Sequence, residues 1–194
     1  LGWTLLRLKD PEAAVTSFRE AVKKSTDRNL KVSAVSRIGD IYMDLKDYQK
    51  AKESYDEILT EYNDSMLCDY AQYQLGLCYL KQAASPDRDQ AQARKALAEL
   101  GKIQSNYPNS DFVVAADGQA DKARELLAEH DFRIGHFYFR RKAYTGAVRR
   151  LRDVLEAYPN YSRKDRLYLF LGQSLYALNK VDEGRLYLEK LVAE

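Results

Sequence analysis

Apolar side chains recur along the chain in steps of three and four residues, the period of one helix face, and the runs come in pairs separated by short polar breaks. A glycine marks the first run of each pair: Gly2, Gly39, Gly76, Gly135 and Gly172 stand in LGW, RIGDIY, YQLGLCY, FRIGHFY and LFLGQSLY, at spacings of 37, 37, 59 and 37 residues. Twelve residues after four of these glycines a small residue opens the second run, at Ala14, Ala51, Ala147 and Gly184. In the third pair the equivalent is Ala96, twenty residues on, so eight residues have entered the connection near 82–90. Bulky positions follow the small residue at +4 and +7, as in Tyr55 and Ile58, Leu100 and Ile103, Leu151 and Val154, or Leu188 and Leu191. Terminators follow at Tyr62-Asn63, Tyr107-Pro108 and Tyr158-Pro159, where proline cannot continue a helix.

This is the tetratricopeptide pattern, and it predicts an all-α chain: an α-solenoid, coiled as a right-handed superhelix, of about five helical hairpins. Gly and Ala are expected where the two helices of a hairpin cross, because only a small side chain permits that approach. Tyr42, Tyr79 and Tyr138, three residues after their glycines, are expected to fill the space beside the crossing. Leu45-Lys46-Asp47, Arg141-Lys142-Ala143 and Leu178-Asn179-Lys180 read as tight turns between antiparallel helices. In the inserted connection Ser85-Pro86 breaks the helix, and Asp87 or Asp89 caps the next one. Between Pro108 and Gly135 only Gly118 interrupts the periodicity, predicting one long helix from about Ser110 to Arg141 or two joined near Gly118. The expected division is residues 1–109, holding repeats one to three with the first truncated, and 110–194, holding the long helix and repeats four and five.

Charge narrows the function classes. The chain has 31 Lys and Arg against 29 Asp and Glu, a net +2 that does not suggest a nucleic-acid binder. The distribution is uneven: residues 132–166 carry ten basic side chains and three acidic ones, whereas 111–131 carry six acidic and two basic. No run of about 18 apolar residues is present to span a bilayer. Any signal peptide or lipid-attachment cysteine is expected upstream of Leu1.

Catalytic chemistry finds little footing. Cys68 and Cys78 lie in one helical run about 15 Å apart, too far to pair, and read as small buried side chains. His130 and His136, six apart, point about 240° away from each other around a helix. HExxH, GxSxG, GxGxxG and Walker sequences are absent, so no enzyme activity, cofactor or metal is expected. Binding is what the architecture offers. In tetratricopeptide proteins the inner wall is formed by positions about three before, one after, and four to five after the repeat glycine. These include Asp40 and Met43, Tyr73 and Leu77, His136 and Phe139, and Tyr176; Tyr70 lies one turn ahead of Tyr73, and Trp3 occupies the same ring in the first unit. Such a wall suits an extended peptide or a partner helix.

Three segments carry a narrower resemblance: Asp69-Tyr70-Ala71-Gln72-Tyr73-Gln74-Leu75-Gly76 followed by Pro86-Asp87-Arg88-Asp89-Gln90; Tyr107-Pro108-Asn109-Ser110; and Leu127-Ala128-Glu129-His130 running into Phe137-Tyr138-Phe139-Arg140-Arg141-Lys142-Ala143-Tyr144. From about Tyr42 to Tyr158 their order resembles the BamD (ComL/YfiO) family of outer-membrane assembly lipoproteins. That family has a tyrosine-rich helix before an Arg-Asp insertion, a long inter-repeat helix, and a hairpin with an arginine in its second helix, here Arg150. The resemblance implies a periplasmic scaffold at the outer membrane, touching the membrane only through an upstream lipid anchor if one is present. Its implied partners are an Omp85-type barrel assembly protein and unfolded β-barrel precursors. Trp3, Tyr70 and Tyr73 would take substrate segments, and Arg140, Arg141, Arg149 and Arg150 would dock acidic partner residues. The alternative is a structural subunit or adaptor of another multiprotein envelope or membrane-associated complex.

Overall fold

The computed structural model describes residues 10–83, 85–86 and 88–193. Among them are nine α-helices and no strand: α1 (Pro11–Lys24), α2 (Arg28–Asp44), α3 (Tyr48–Glu61), α4 (Cys68–Gln82), α5 (Ala91–Asn106), α6 (Val113–Arg140), α7 (Tyr144–Ala157), α8 (Lys164–Ala177) and α9 (Val181–Ala193). The chain is all-α, an α-solenoid in class, with hairpins α2–α3, α4–α5, α6–α7 and α8–α9 preceded by α1. Gly2 and Trp3 lie outside the described residues, as does Asp87.

Local chemistry sets the helix ends. Asp10, Asp27 and Asp47 cap α1, α2 and α3, each carboxylate accepting from backbone N–H groups of the first turn. Asp89 Oδ1 accepts from the Ala91 N–H at 3.1 Å and so starts α5 after the insertion. The three tight turns share one closure. Lys46, Lys142 and Asn179 adopt φ of 59°, 58° and 59°. The following N–H groups of Asp47, Ala143 and Lys180 reach back to the carbonyls of Tyr42, Tyr138 and Leu175 at 2.9, 3.0 and 2.9 Å, the double-bonded closure usually built on glycine. Lysine in this left-handed region carries a steric cost of roughly 1–2 kcal/mol, and a glycine there forfeits about 0.5–1 kcal/mol of chain entropy. Lys46→Gly and Lys142→Gly should therefore each raise the unfolding free energy by about 0.5 kcal/mol, and Asn179→Gly by less, as read by urea denaturation.

The helices group into two compact units, one of residues 1–83 and 94–120, the other of 84–93 and 121–194. In the first, the predicted crossings are present. A Cβ on Gly39 would meet the Tyr55 ring at 2.6 Å, and one on Gly76 would meet Leu100 at 2.7 Å. Ala51, Tyr55, Ile58, Ala96, Leu100 and Ile103 are buried around these points. In the second unit Gly135 abuts Leu151 and Gly172 abuts Leu188, each at 2.6 Å, with Ala147 and Val154 buried beside the former. The partner thus sits sixteen residues after the glycine in three hairpins and twenty-four after it in the third. The inserted residues lengthen the connection and leave the crossing intact.

Between the third and fourth repeats a single helix, α6, runs through Gly118; of the two readings left open by the sequence, the unbroken helix is the one formed. Nothing lies within 4 Å of the place a Gly118 Cβ would occupy, so that glycine serves no crossing. The two cysteines are free, as their spacing predicts, and both are buried.

Candidate protein-binding surfaces

In the first unit the residues predicted to line the wall on α2 and α4 converge on one carboxylate. Asp40 Oδ1 accepts from the Tyr55 hydroxyl at 2.9 Å and the Tyr70 hydroxyl at 2.6 Å, while Oδ2 receives Arg37 Nη1 at 2.9 Å. The Tyr70 oxygen in turn accepts from Gln74 Nε2 at 2.8 Å. One residue of α2 thereby ties α3 and α4 together. Burial first, and then the Asp40 acceptor, push the Tyr70 phenol up to about 12. Burial and Asp40 push Tyr55 upward as well. Met43 packs on the same core, its sulfur 3.2 Å from that of Cys78.

Tyr73 stacks on Phe112 with ring centroids 5.2 Å apart, and Tyr70 approaches the same ring at 5.7 Å. Tyr73 and Leu77 are half-buried, leaving one side of each open to solvent. Ser33, Ser36, Arg37, Leu67 and Tyr70 line an open cleft of about 330 Å³ between α2 and α4. Asp40 and Met43 are half-buried like Tyr70, Tyr73 and Leu77, but Asp40 is committed to its three hydrogen-bond donors and Met43 to the core beside Cys78.

In the second unit His136 and Phe139 meet on α6, and α8 supplies the ring that completes them. His136 lies 4.5 Å from Phe170, 5.9 Å from Phe132 and 6.2 Å from Phe139, centroid to centroid. Phe139 and Phe170 are 4.9 Å apart. The Arg166 guanidinium sits 4.9 Å over the Phe132 ring. Desolvation, then the charges of Arg166 and Arg140, lower the His136 pKa from its ordinary value. Tyr176 is exposed and lies against Gly184, on the last hairpin. His130 faces elsewhere: its Nδ1 is 2.6 Å from the Pro86 carbonyl, holding the insertion, which fixes the donor proton on that nitrogen.

The four arginines predicted for docking, Arg140, Arg141, Arg149 and Arg150, are all exposed. No ion pair engages any of them among the described residues; Arg141 instead covers the exposed Phe137 ring at 5.4 Å. Arg149 lines a groove of about 480 Å³ between α7 and α8, together with Val148, Leu175 and Leu178 and the carboxylates of Asp153 and Glu156. Neighbouring bases are spoken for: Arg152 and Lys180 both pair with Glu183, and Arg133 and Arg163 with Glu129.

Sequence reasoning did not single out Tyr55, Arg37, Phe112, Arg166 or Phe170 as partners of these sites. Arg166 was within reach, since it lies six residues before Gly172, one helical turn further along the face already counted. Among the described residues no group of three or more His, Cys, Asp or Glu could hold a metal ion, and no helix is long and apolar enough to cross a membrane.

Comparison with known proteins gives this arrangement its context. The outer membrane protein assembly factor BamD of Caulobacter vibrioides is 24% identical over 172 residues, covering 89% of this chain and 56% of the relative. BamD of Vibrio cholerae is 32% identical over 74 residues, 38% of this chain and 31% of that protein. The chain thus spans little more than half the length of the first and about a third of the second. Among solved structures the TPR2AB domain of yeast Sti1, in a complex with pHSP90, aligns with 99% of this chain and 74% of that one at a TM-score of 0.53 and 14% identity, a similarity of fold. A family model described as "YfiO: Outer membrane lipoprotein" matches residues 4–181. With nearly the whole repeat array inside that match, the chain belongs to the YfiO family of outer membrane lipoproteins.

Proposed function

We propose that the chain is a non-enzymatic scaffold for assembling β-barrel proteins at the periplasmic face of the outer membrane. The family match over residues 4–181 carries this reading. Two surfaces support it. The open faces of Tyr73 and Leu77 in the first unit, with Tyr70 at their edge, offer flat apolar area of the kind that takes extended, unfolded segments. Trp3 belongs to the same proposal by its place in the repeat, and Asp40 and Met43 contribute by fixing the wall. In the second unit His136, Phe139 and Tyr176 offer a peptide face of their own. Arg140, Arg141, Arg149 and Arg150 provide cations free to meet carboxylates of an Omp85-type assembly protein. Arg149 stands in a groove that Val148, Leu175 and Leu178 share with Asp153 and Glu156, and a partner carboxylate desolvated there would give its pair more than the worth of an open surface ion pair.

The test is affinity purification of the full-length protein carrying Arg149→Glu together with Arg150→Glu, followed by titration of the captured barrel protein. Charge reversal in a desolvated contact should weaken that complex by about 2 kcal/mol or more, roughly thirtyfold. Unchanged capture removes the docking role. Stoichiometric co-purification of an unrelated complex, with no barrel protein, overturns the assembly reading itself.

A further inference from the structure

The second unit carries a feature more selective than a generic peptide wall. His136, Phe139 and Phe170 form a continuous ring floor on α6 and α8, with centroid separations of 4.5, 4.9 and 6.2 Å, and each is only half-buried. Two guanidiniums border it. Arg166 lies above Phe132 at the buried end, and Arg140, one residue beyond Phe139, stands exposed at the other. No carboxylate pairs with either among the described residues, whereas Arg133 and Arg163 are both matched to Glu129. Aromatic carbon flanked by two unneutralised cations is complementary to an aromatic side chain with a carboxylate beside it: the ring stacks on the floor and the carboxylate reaches a guanidinium.

We infer that this box binds an internal segment of a partner protein in which an aromatic residue is flanked by Asp or Glu side chains. The inference rests on reading the α6 and α8 faces as protein-binding, and it names the chemistry those faces select. The floor is hydrocarbon with a single imidazole, so part of what it selects is a ring that stacks on it, which a polyanion or a lipid headgroup layer does not supply. Every charged group found to act on His136 is basic, Arg140 on its own helix and Arg166 on α8. A bound carboxylate relieves that repulsion and favours the imidazolium, so binding should tighten as pH falls through the histidine range.

Fluorescence anisotropy on the whole 194-residue chain provides the test, using labelled peptides capped at both ends so that only side-chain carboxylates are present. A peptide with a central Glu-Phe-Glu is expected to bind about tenfold or more tightly than its Gln-Phe-Gln and Glu-Ala-Glu counterparts. Arg140→Gln with Arg166→Gln should abolish the preference over Gln-Phe-Gln. Phe170→Ala should abolish the preference over Glu-Ala-Glu. His136→Phe keeps the floor and should retain binding at about pH 8 while losing the tightening towards about pH 5.5. Circular dichroism and melting of each variant separate lost binding from lost fold. Equal affinity for the three peptides, or a Glu-Phe-Glu affinity indifferent to the paired Arg substitutions, overturns the box. Lack of discrimination alongside intact capture of the barrel protein sinks this inference alone; discrimination with no barrel partner captured sinks the assembly reading and leaves the box standing.

Discussion

Replacing Gly39 with leucine should lower the unfolding free energy by about 3 kcal/mol or more. A Cβ there would stand 2.6 Å from Cε1 and 2.8 Å from Cζ of Tyr55, a ring that is fully buried. Relief by sliding the ring is blocked, because its hydroxyl is held by Asp40 at 2.9 Å. The smaller change Gly39→Ala sets two effects against each other: a helix-interior alanine gains about 1 kcal/mol over glycine, and overpacking costs about 1–3 kcal/mol. A net loss is expected. The same substitution has the opposite sign at Gly101 and Gly118, where nothing lies within 4 Å, and there Ala should stabilise by about 0.5–1 kcal/mol. Urea denaturation of the four variants decides the matter, and a stabilised Gly39→Leu protein would mean that α2 and α3 do not cross at this point.

Asp40→Ala is expected to be the next most damaging change, by about 2–3 kcal/mol. It strands the Tyr55 and Tyr70 hydroxyls, donors that now end on one carboxylate oxygen. Leaving a buried donor unsatisfied costs more than the net worth of the bond it loses. Tyr55→Phe and Tyr70→Phe remove donor and bond together and should each cost about 1 kcal/mol. Added to Asp40→Ala, either should recover part of the loss, so the double variants fall short of additivity. Strict additivity would show that the three groups do not form one network. Asp40→Asn, which preserves an acceptor oxygen, should be milder than Asp40→Ala.

The hairpins were legible because small residues serve a single purpose in them. The Gly39-to-Tyr55 interval of sixteen residues repeats at Gly135–Leu151 and Gly172–Leu188, and it survives the insertion as twenty-four at Gly76–Leu100. Periodicity carries such information since it depends only on positions within one hairpin. The Asp40 network escapes it. Nothing about an aspartate one residue past a glycine says that its acceptors will be spent on phenols fifteen and thirty residues away, on two other helices. Phe112 and Phe170 were missed for the same reason: each ring completes a cluster begun on a different helix, Tyr73 on α4 in one case and His136 on α6 in the other. Conversely, the long helix left two readings because Gly118 looks the same in sequence whether it bends a chain or lies on an exposed face. Only the open space around it distinguishes the two.

The phenol–carboxylate bonds give the molecule a built-in optical gauge. Tyr70 bonded to Asp40 reports on the first unit, and Tyr161 bonded to Glu129 at 2.5 Å reports on the second. Burial and the adjoining carboxylate hold both phenols protonated above the ordinary tyrosine value. Their stabilising effect is complete below about pH 10, where an unfolded tyrosine is still neutral, and is lost as pH rises through the folded-state values. A tyrosinate absorbance trace taken through this alkaline window therefore records when each cluster opens. Tyr70→Phe and Tyr161→Phe assign the steps, so local release in either half of the array becomes visible without any attached label.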